Sequence, residues 1–181
     1  DGDRIVLSGA IVFYWGRRRP LVCYYGSGYA ERLAAGRIEA GCPSDWCVPT
    51  GNFGNILAAW YAKQIGVPIE RLLCASNDNR VLTDFINTGT YDISDREFIL
   101  TSSPSMDILV SSNLERQPFE PTGRNGEDIL QWMADLAEAR CFRVDAQTLR
   151  RVRENFSPES ADTAPCPPTI RDSPAPPNHP L

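Results

Sequence analysis

Val48-Pro49-Thr50-Gly51-Asn52-Phe53-Gly54-Asn55 decides how this chain reads. A short apolar strand, Trp46-Cys47-Val48, runs into a glycine turn, and an amphipathic helix follows at once. Pro49 has no N–H for a ladder and ends the strand. The helix is expected over Ile56 to Ile65, with apolar residues at Ile56, Leu57, Ala59, Trp60 and Ile65 and with Gly66 as its stop. A strand, a turn and a helix N-terminus in that order make an anion pocket. A phosphate needs several N–H donors converging on one point and a positive local potential, and a helix N-terminus supplies both. Gly51 and Gly54 let the backbone bend and approach with no Cβ in the way. Asn52 tolerates left-handed angles and can donate from its side chain, and Asn55 can cap the helix. Phe53 completes the candidate loop. The loop holds no Lys or Arg, so it would bind through its backbone, unlike a Walker loop. By itself a G-x-x-G tetrapeptide is more often just a tight strand-to-helix turn. Its place at the C-terminal end of a parallel strand, where α/β ligand sites sit, strengthens the phosphate reading.

Leu72-Leu73-Cys74-Ala75 is the next apolar strand, Asn77-Asp78-Asn79 a turn and helix cap, and Val81 to Asn87 a short helix closed around Gly89. Residues 46–89 thus alternate strand, helix, strand, helix. That pattern predicts a parallel βαβ unit with a right-handed crossover, hence an α/β fold. Upstream, Ile5 to Leu7 reads as a short strand and Ile11 to Trp15 as an apolar run. Arg17-Arg18-Arg19 reads as a solvated helix start rather than an anion site, and Leu21 to Ala35 as a helix with weak points at Gly26 and Gly28. Downstream, Ser103-Pro104-Ser105 resembles a cap for a helix over Met106 to Val110. Helices are expected over Glu127 to Glu138 and from Val144-Asp145 to about Phe156. From Ser157 to Leu181 the chain holds eight of its 15 prolines and almost no large apolar residue, the composition of a disordered tail. Three regions follow: an α/β part over 1–118, a helical part over 119–156 and the tail over 157–181.

The 181 residues are enough for one domain with a real core, and the net charge of −5 suggests no nucleic-acid partner. No apolar run approaches the roughly 20 residues of a membrane helix. Asp1-Gly2-Asp3 is not the start of a signal peptide, so a cytoplasmic setting is expected. The absence of Met at position 1 fits a chain that begins inside a longer protein or has been trimmed. Cys23, Cys42, Cys47, Cys74, Cys141 and Cys166 form no C-x-x-C pair, and His179 is the single histidine, so no metal is expected. The cysteines read as reduced core residues. Of 18 basic residues only Lys63 is lysine.

Four runs carry a resemblance: residues 48–58, Cys74-Ala75-Ser76-Asn77, Val81-Leu82-Thr83-Asp84-Phe85, and Ser103-Pro104-Ser105-Met106-Asp107-Ile108-Leu109-Val110-Ser111-Ser112-Asn113-Leu114-Glu115-Arg116. In order and spacing they are similar to threonine synthases, the pyridoxal-phosphate enzymes that make threonine from O-phosphohomoserine. The likeness covers about residues 48–116, with weaker agreement through Glu127 to Phe156 and upstream at Tyr24-Tyr25 and residues 33–38. The resemblance implies a fold-type-II architecture, a partial three-layer parallel sheet of the tryptophan synthase β kind. It also implies cofactor phosphate on the N–H groups of Gly51, Asn52, Phe53, Gly54 and Asn55. The family eliminates phosphate from the γ-carbon and adds water at the β-carbon, starting from a lysine Schiff base.

The departures bear on activity. The family's lysine precedes the phosphate loop in a segment these residues do not contain, and Lys63 follows the loop. Ile11-Val12-Phe13-Tyr14 stands where the family has Asn-Ser-x-Asn, and the proline-rich tail replaces an Asp-x-His-Thr-Ala stretch. The expectation is a threonine synthase fragment, inactive alone, that holds pyridoxal phosphate without a covalent bond. The alternative is a non-catalytic phosphate-binding or interaction domain, and a third reading is an α/β domain with no ligand. Missing neighbours would leave sheet edges exposed and favour self-association.

Overall fold

A computed structural model describes residues 4–6, 19–116 and 125–160; at 4–6, 19–21 and 159–160 it describes the backbone alone. Strand β1 (Arg4–Val6) is followed by helix α1 (Arg19–Ala34) and strand β2 (Ser44–Pro49). Then come α2 (Gly54–Gln64), β3 (Ile69–Ser76), α3 (Val81–Thr88) and β4 (Thr90–Asp92). After a single 3-10 turn at Pro104–Met106 come α4 (Gly126–Ala139), β5 (Cys141–Arg143), α5 (Ala146–Asn155) and β6 (Phe156–Ser160).

The alternation expected over residues 46–89 is present. Four parallel strands form one sheet in the order β1-β2-β3-β6. Beside it β4 and β5 make a small antiparallel pair. Trp46 and Val48 alternate inward along β2, and both are fully buried. In β3 Leu72, Leu73 and Cys74 are all buried, so this parallel strand is covered on both faces. Helix α2 buries Ile56, Leu57, Ala58, Ala59 and Ala62, and its Trp60 Nε1 donates to Asn155 Oδ1 at the end of α5 at 3.0 Å. Phe85 of α3, Tyr91 of β4 and Phe142 of β5 form a ring cluster with centroids 5.5 to 6.0 Å apart, extended by Trp132 at 6.2 Å. Such pairs each contribute about 0.5–1.5 kcal/mol beyond area burial. This cluster ties the small sheet and α4 to α3 and joins them to the core of the large sheet.

Four sequence expectations change. The tail does not start at Ser157, because Phe156–Ser160 pairs with Leu72 to Ser76 and becomes an edge of the sheet. Backbone pairing overrides the low apolar content there. Residues 161–181 lie outside the described residues, as do Ile11 to Trp15 and Arg17-Arg18. No helix forms over Met106 to Val110, since the side chain of Asp107 is drawn back onto Thr101 and Tyr91 engages the backbone at Leu109 and Ser111. Asn77-Asp78-Asn79 is a turn but not a cap. Asn77 Oδ1 accepts from Asn79 N at 3.0 Å, and the residue at the cap of α3 is Arg80. The cysteines are not all core residues: Cys74 is buried, whereas Cys23 and Cys42 are exposed. Among the described residues no helix is long and apolar enough to cross a membrane.

Candidate functional site

The loop leaves β2 at its C-terminal end. Pro49 pairs with Ala75, and Thr50 N extends the ladder by donating to Ala75 O at 2.8 Å. Thr50 is buried and its hydroxyl donates to Val48 O at 2.7 Å, which closes the strand end. The chain then turns into α2 through Phe53, whose φ of 62° and ψ of −12° are left-handed. A bulky residue there costs about 1–2 kcal/mol. The cost is met by burial: Phe53 is 1% exposed and its ring lies 5.1 Å from that of Phe156. The first residue of β6 therefore holds the turn that opens α2.

The left-handed residue immediately before a helix produces a concavity lined with N–H groups, which favours anions. Leu57 N is the first to find a helical acceptor, Phe53 O at 3.1 Å. Among the described residues, the N–H groups from Gly51 to Ile56 donate to no backbone or side-chain acceptor. No acidic residue lies in the first turn of α2, so nothing competes with an anion for its positive end.

The five candidate residues are thus brought together, but their individual parts differ from expectation. The left-handed conformation falls on Phe53, not on Asn52. Asn52 accepts instead of donating: its Oδ1 receives Ser112 N at 3.1 Å and Ser112 Oγ at 3.3 Å, while its carbonyl receives Asn113 Nδ2 at 3.0 Å. Asn55 is not a cap, because it already lies inside α2 and its Oδ1 accepts from Tyr25 OH at 2.8 Å. Burial pushes the Tyr25 phenol well above its ordinary pKa, with the Tyr24 phenol adding to the effect. The bond to Asn55 thus keeps its donor at every ordinary pH. Neither Asn52 Nδ2 nor Asn55 Nδ2 has a partner among the described residues.

A strap over residues 104–113 covers the loop, and single-residue reading missed it. A Cβ added at Gly51 would stand 3.2 Å from both Met106 Cα and Met106 O, and 3.0 Å from Ile108 Cδ1. The close approach that needs a glycine here is to this strap. Asp107 pins it: Oδ1 accepts from Asn77 Nδ2 at 2.7 Å, Thr101 Oγ1 at 2.7 Å and Asn79 Nδ2 at 3.3 Å, and Oδ2 accepts from Thr101 N at 2.9 Å. The backbone N–H of Thr101, joined by the side-chain donors, holds this carboxyl below the usual carboxylate range. Tyr91 OH fixes the middle, donating to Leu109 O at 2.6 Å and accepting from Ser111 N at 2.9 Å. The similarity run over Ser103 to Arg116 was the one sequence signal for the strap, although its shape was misread as a helix.

Lys63 lies far from all this. It is in the last turn of α2, where its Nζ donates to Glu70 O at 2.6 Å. Nine residues at 1.5 Å each put it about 14 Å along the helix from Gly54, beyond the reach of a lysine side chain. A cavity of about 580 Å³ lined by Thr88, Trp132, Arg143 and Leu149 sits at the small sheet and α4, not at the loop.

The chain is similar to threonine synthases and to threonine synthase-like proteins. Threonine synthase-like 1 of Macaca fascicularis is 45% identical over 151 residues, which is 83% of this chain and 20% of that protein. The threonine synthase of Eremothecium gossypii is 38% identical over 159 residues, 82% of this chain and 30% of that one. The crystal structure of a PLP-bound threonine synthase from Brucella melitensis superposes with a TM-score of 0.74 at 36% identity, over 86% of this chain and 32% of that chain. The chain resembles part of a threonine synthase. It spans about a fifth of the length of the threonine synthase-like relatives and under a third of the threonine synthases. A match over 83% of 181 residues takes in both the loop at 51–55 and the strap at 104–113, wherever its ends fall. No protein-family model matches the chain.

Proposed function

We propose that this chain carries the phosphate-holding part of a threonine synthase-type site and that the group it holds is pyridoxal 5'-phosphate. The observation that carries the reading is the run of N–H groups from Gly51 to Ile56 at the start of α2 that have no acceptor among the described residues, with no acidic residue in the helix's first turn. A phosphate dianion matches that donor set, and the backbone supplies what a lysine supplies elsewhere. Gly51 to Asn55 hold the phosphate, Phe53 sets the direction of the donors, Ser112 and Asn113 hold Asn52 in place, and Tyr25 holds Asn55. Bound pyridoxal phosphate supplies an electron sink for carbanions next to a substrate amine.

These 181 residues hold the cofactor without a covalent bond, because their single lysine is about 14 Å away along α2. Conversion of O-phospho-L-homoserine and water to L-threonine and phosphate then needs an amine from outside these residues, and the chain alone is inactive. A cytoplasmic setting fits the free thiols of Cys23, Cys42, Cys74 and Cys141. Exposed Phe98, Ile99, Leu100 and Val110, together with β1 and β6 as the outer strands of the sheet among the described residues, favour association with a second copy, read as a mass that rises with concentration in sedimentation.

The test is calorimetric titration with pyridoxal phosphate, inorganic phosphate and pyridoxal. Pyridoxal phosphate and inorganic phosphate are expected to compete, and pyridoxal is expected not to bind. Equal binding of pyridoxal and its phosphate would refute the reading.

A further inference from the structure

We infer that Asp107 is the positioning residue of the phosphate loop, acting through the strap it pins; this rests on the phosphate reading of Gly51 to Ile56. The residues on either side of Asp107 form the wall that Gly51 touches: Met106 through its backbone and Ile108 through Cδ1. Asp107 is buried and accepts four hydrogen bonds, from Asn77, Asn79 and both the backbone and hydroxyl of Thr101. Asn77 follows the last residue of β3, and β3 pairs with β2 up to the point where the loop begins. The carboxylate therefore fastens the strap to the same sheet end from which the loop springs. The far end of the strap is fastened to the loop itself by Asn52 through Ser112 and Asn113. Between these two anchors the backbone of Met106 limits how far Gly51 can move, so the aim of the donors depends on Asp107.

A carboxylate near an anion site opposes binding by its charge alone. Retaining one there makes sense if its geometry outweighs its charge, and the two effects have opposite signs on substitution. Asp107→Asn removes the charge and sets an amide N–H₂ against a donor in either orientation, against Thr101 N in one and against the Asn77 and Asn79 amides in the other. If Asp107 acted through charge, phosphate would bind more tightly. If it positions the strap, phosphate binds more weakly, by about tenfold, the equivalent of one lost hydrogen bond.

The experiment is calorimetry of inorganic phosphate with the full chain, wild type against Asp107→Asn, with near-ultraviolet circular dichroism as the check of folding. Weaker binding by a folded variant is the expected result. Unchanged or tighter binding overturns the positioning role while leaving the phosphate reading intact. A wild-type chain with no phosphate affinity overturns that reading and this inference with it. Should Asp107→Asn not fold, Thr101→Val decides. It keeps the charge and the backbone donor but loses the hydroxyl that binds Asp107. A severalfold loss of phosphate affinity supports the role, and an unchanged affinity overturns it.

Discussion

Gly51→Ala tests the packing of strap on loop most sharply. The new methyl would meet Met106 Cα and O at 3.2 Å and Ile108 Cδ1 at 3.0 Å. Ile108 can rotate its terminal methyl away, but the Met106 backbone can yield only if the strap moves a few tenths of an ångström. Overpacking of this kind costs about 1–3 kcal/mol. Gly51 does not have the left-handed φ of Gly36, Gly41, Gly66 or Gly89, so alanine also reduces unfolded-state entropy, a gain of about 0.4–1 kcal/mol. The net destabilisation is about 1–2 kcal/mol, and for a chain of this length the melting temperature should fall by about 2–8 °C. Phosphate affinity should drop by about tenfold, because the displaced strap carries Asn52 with it. Gly26→Ala is the matched control. It lies inside α1 with nothing within 4 Å of the added methyl, and should raise stability by about 0.5–1 kcal/mol. Differential scanning calorimetry and phosphate titration of both variants are the assays. A Gly51→Ala chain as stable as wild type with unchanged phosphate affinity would refute the reasoning.

Three further outcomes are expected. Tyr25→Phe should cost about 1 kcal/mol in denaturant unfolding, through loss of the bond to Asn55 Oδ1 between α1 and α2. Asp145→Ala should cost about 1 kcal/mol, since Asp145 caps α5 by accepting from Gln147 N and Thr148 N at 2.8 and 2.9 Å. Hydrogen bonds from Thr148 hold the Asp145 carboxyl below its usual range, so its contribution is present above the ordinary carboxylate pKa and fades as pH falls through the lowered one, measurable as an acid loss of melting temperature missing from the variant. Burial pushes the Tyr91 phenol up to about 12. Its folded pKa being the higher one, stability is expected to decline as pH rises from about 10 toward 12, and the late step in phenolate absorbance should be smaller in Tyr91→Phe, with Tyr25 supplying what remains.

Much of the fold was legible because its signals are local. The apolar runs Trp46-Cys47-Val48 and Leu72-Leu73-Cys74-Ala75, and the helix stops at Gly66 and Gly89, gave the alternation of β2, α2, β3 and α3 within a few residues. Strand β6 was illegible because Phe156 to Ser160 has no apolar pattern of its own and becomes a strand only by pairing with β3. The loop was legible as a whole and misassigned residue by residue. Asn52 and Asn55 have the chemistry of turns and caps, but distant partners decide how they are used: Ser112 and Asn113 sixty and sixty-one positions on, and Tyr25 thirty positions back. Phe53 in a left-handed conformation runs against local preference and is held by Phe156, more than a hundred positions away in sequence. Asp107 gave no local sign of its part, since its four donors come from a strand end and a loop that only the fold assembles.

The most direct measurement is a backbone amide spectrum of the isotope-labelled chain, recorded as inorganic phosphate and then pyridoxal phosphate are added. The expected result is that both ligands move the same resonances, those of Gly51 to Ile56, with smaller effects along the strap, and that the ligand stays removable by dialysis. Shifts confined to the cavity around Trp132 and Arg143, or none at all at saturating ligand, would contradict the account.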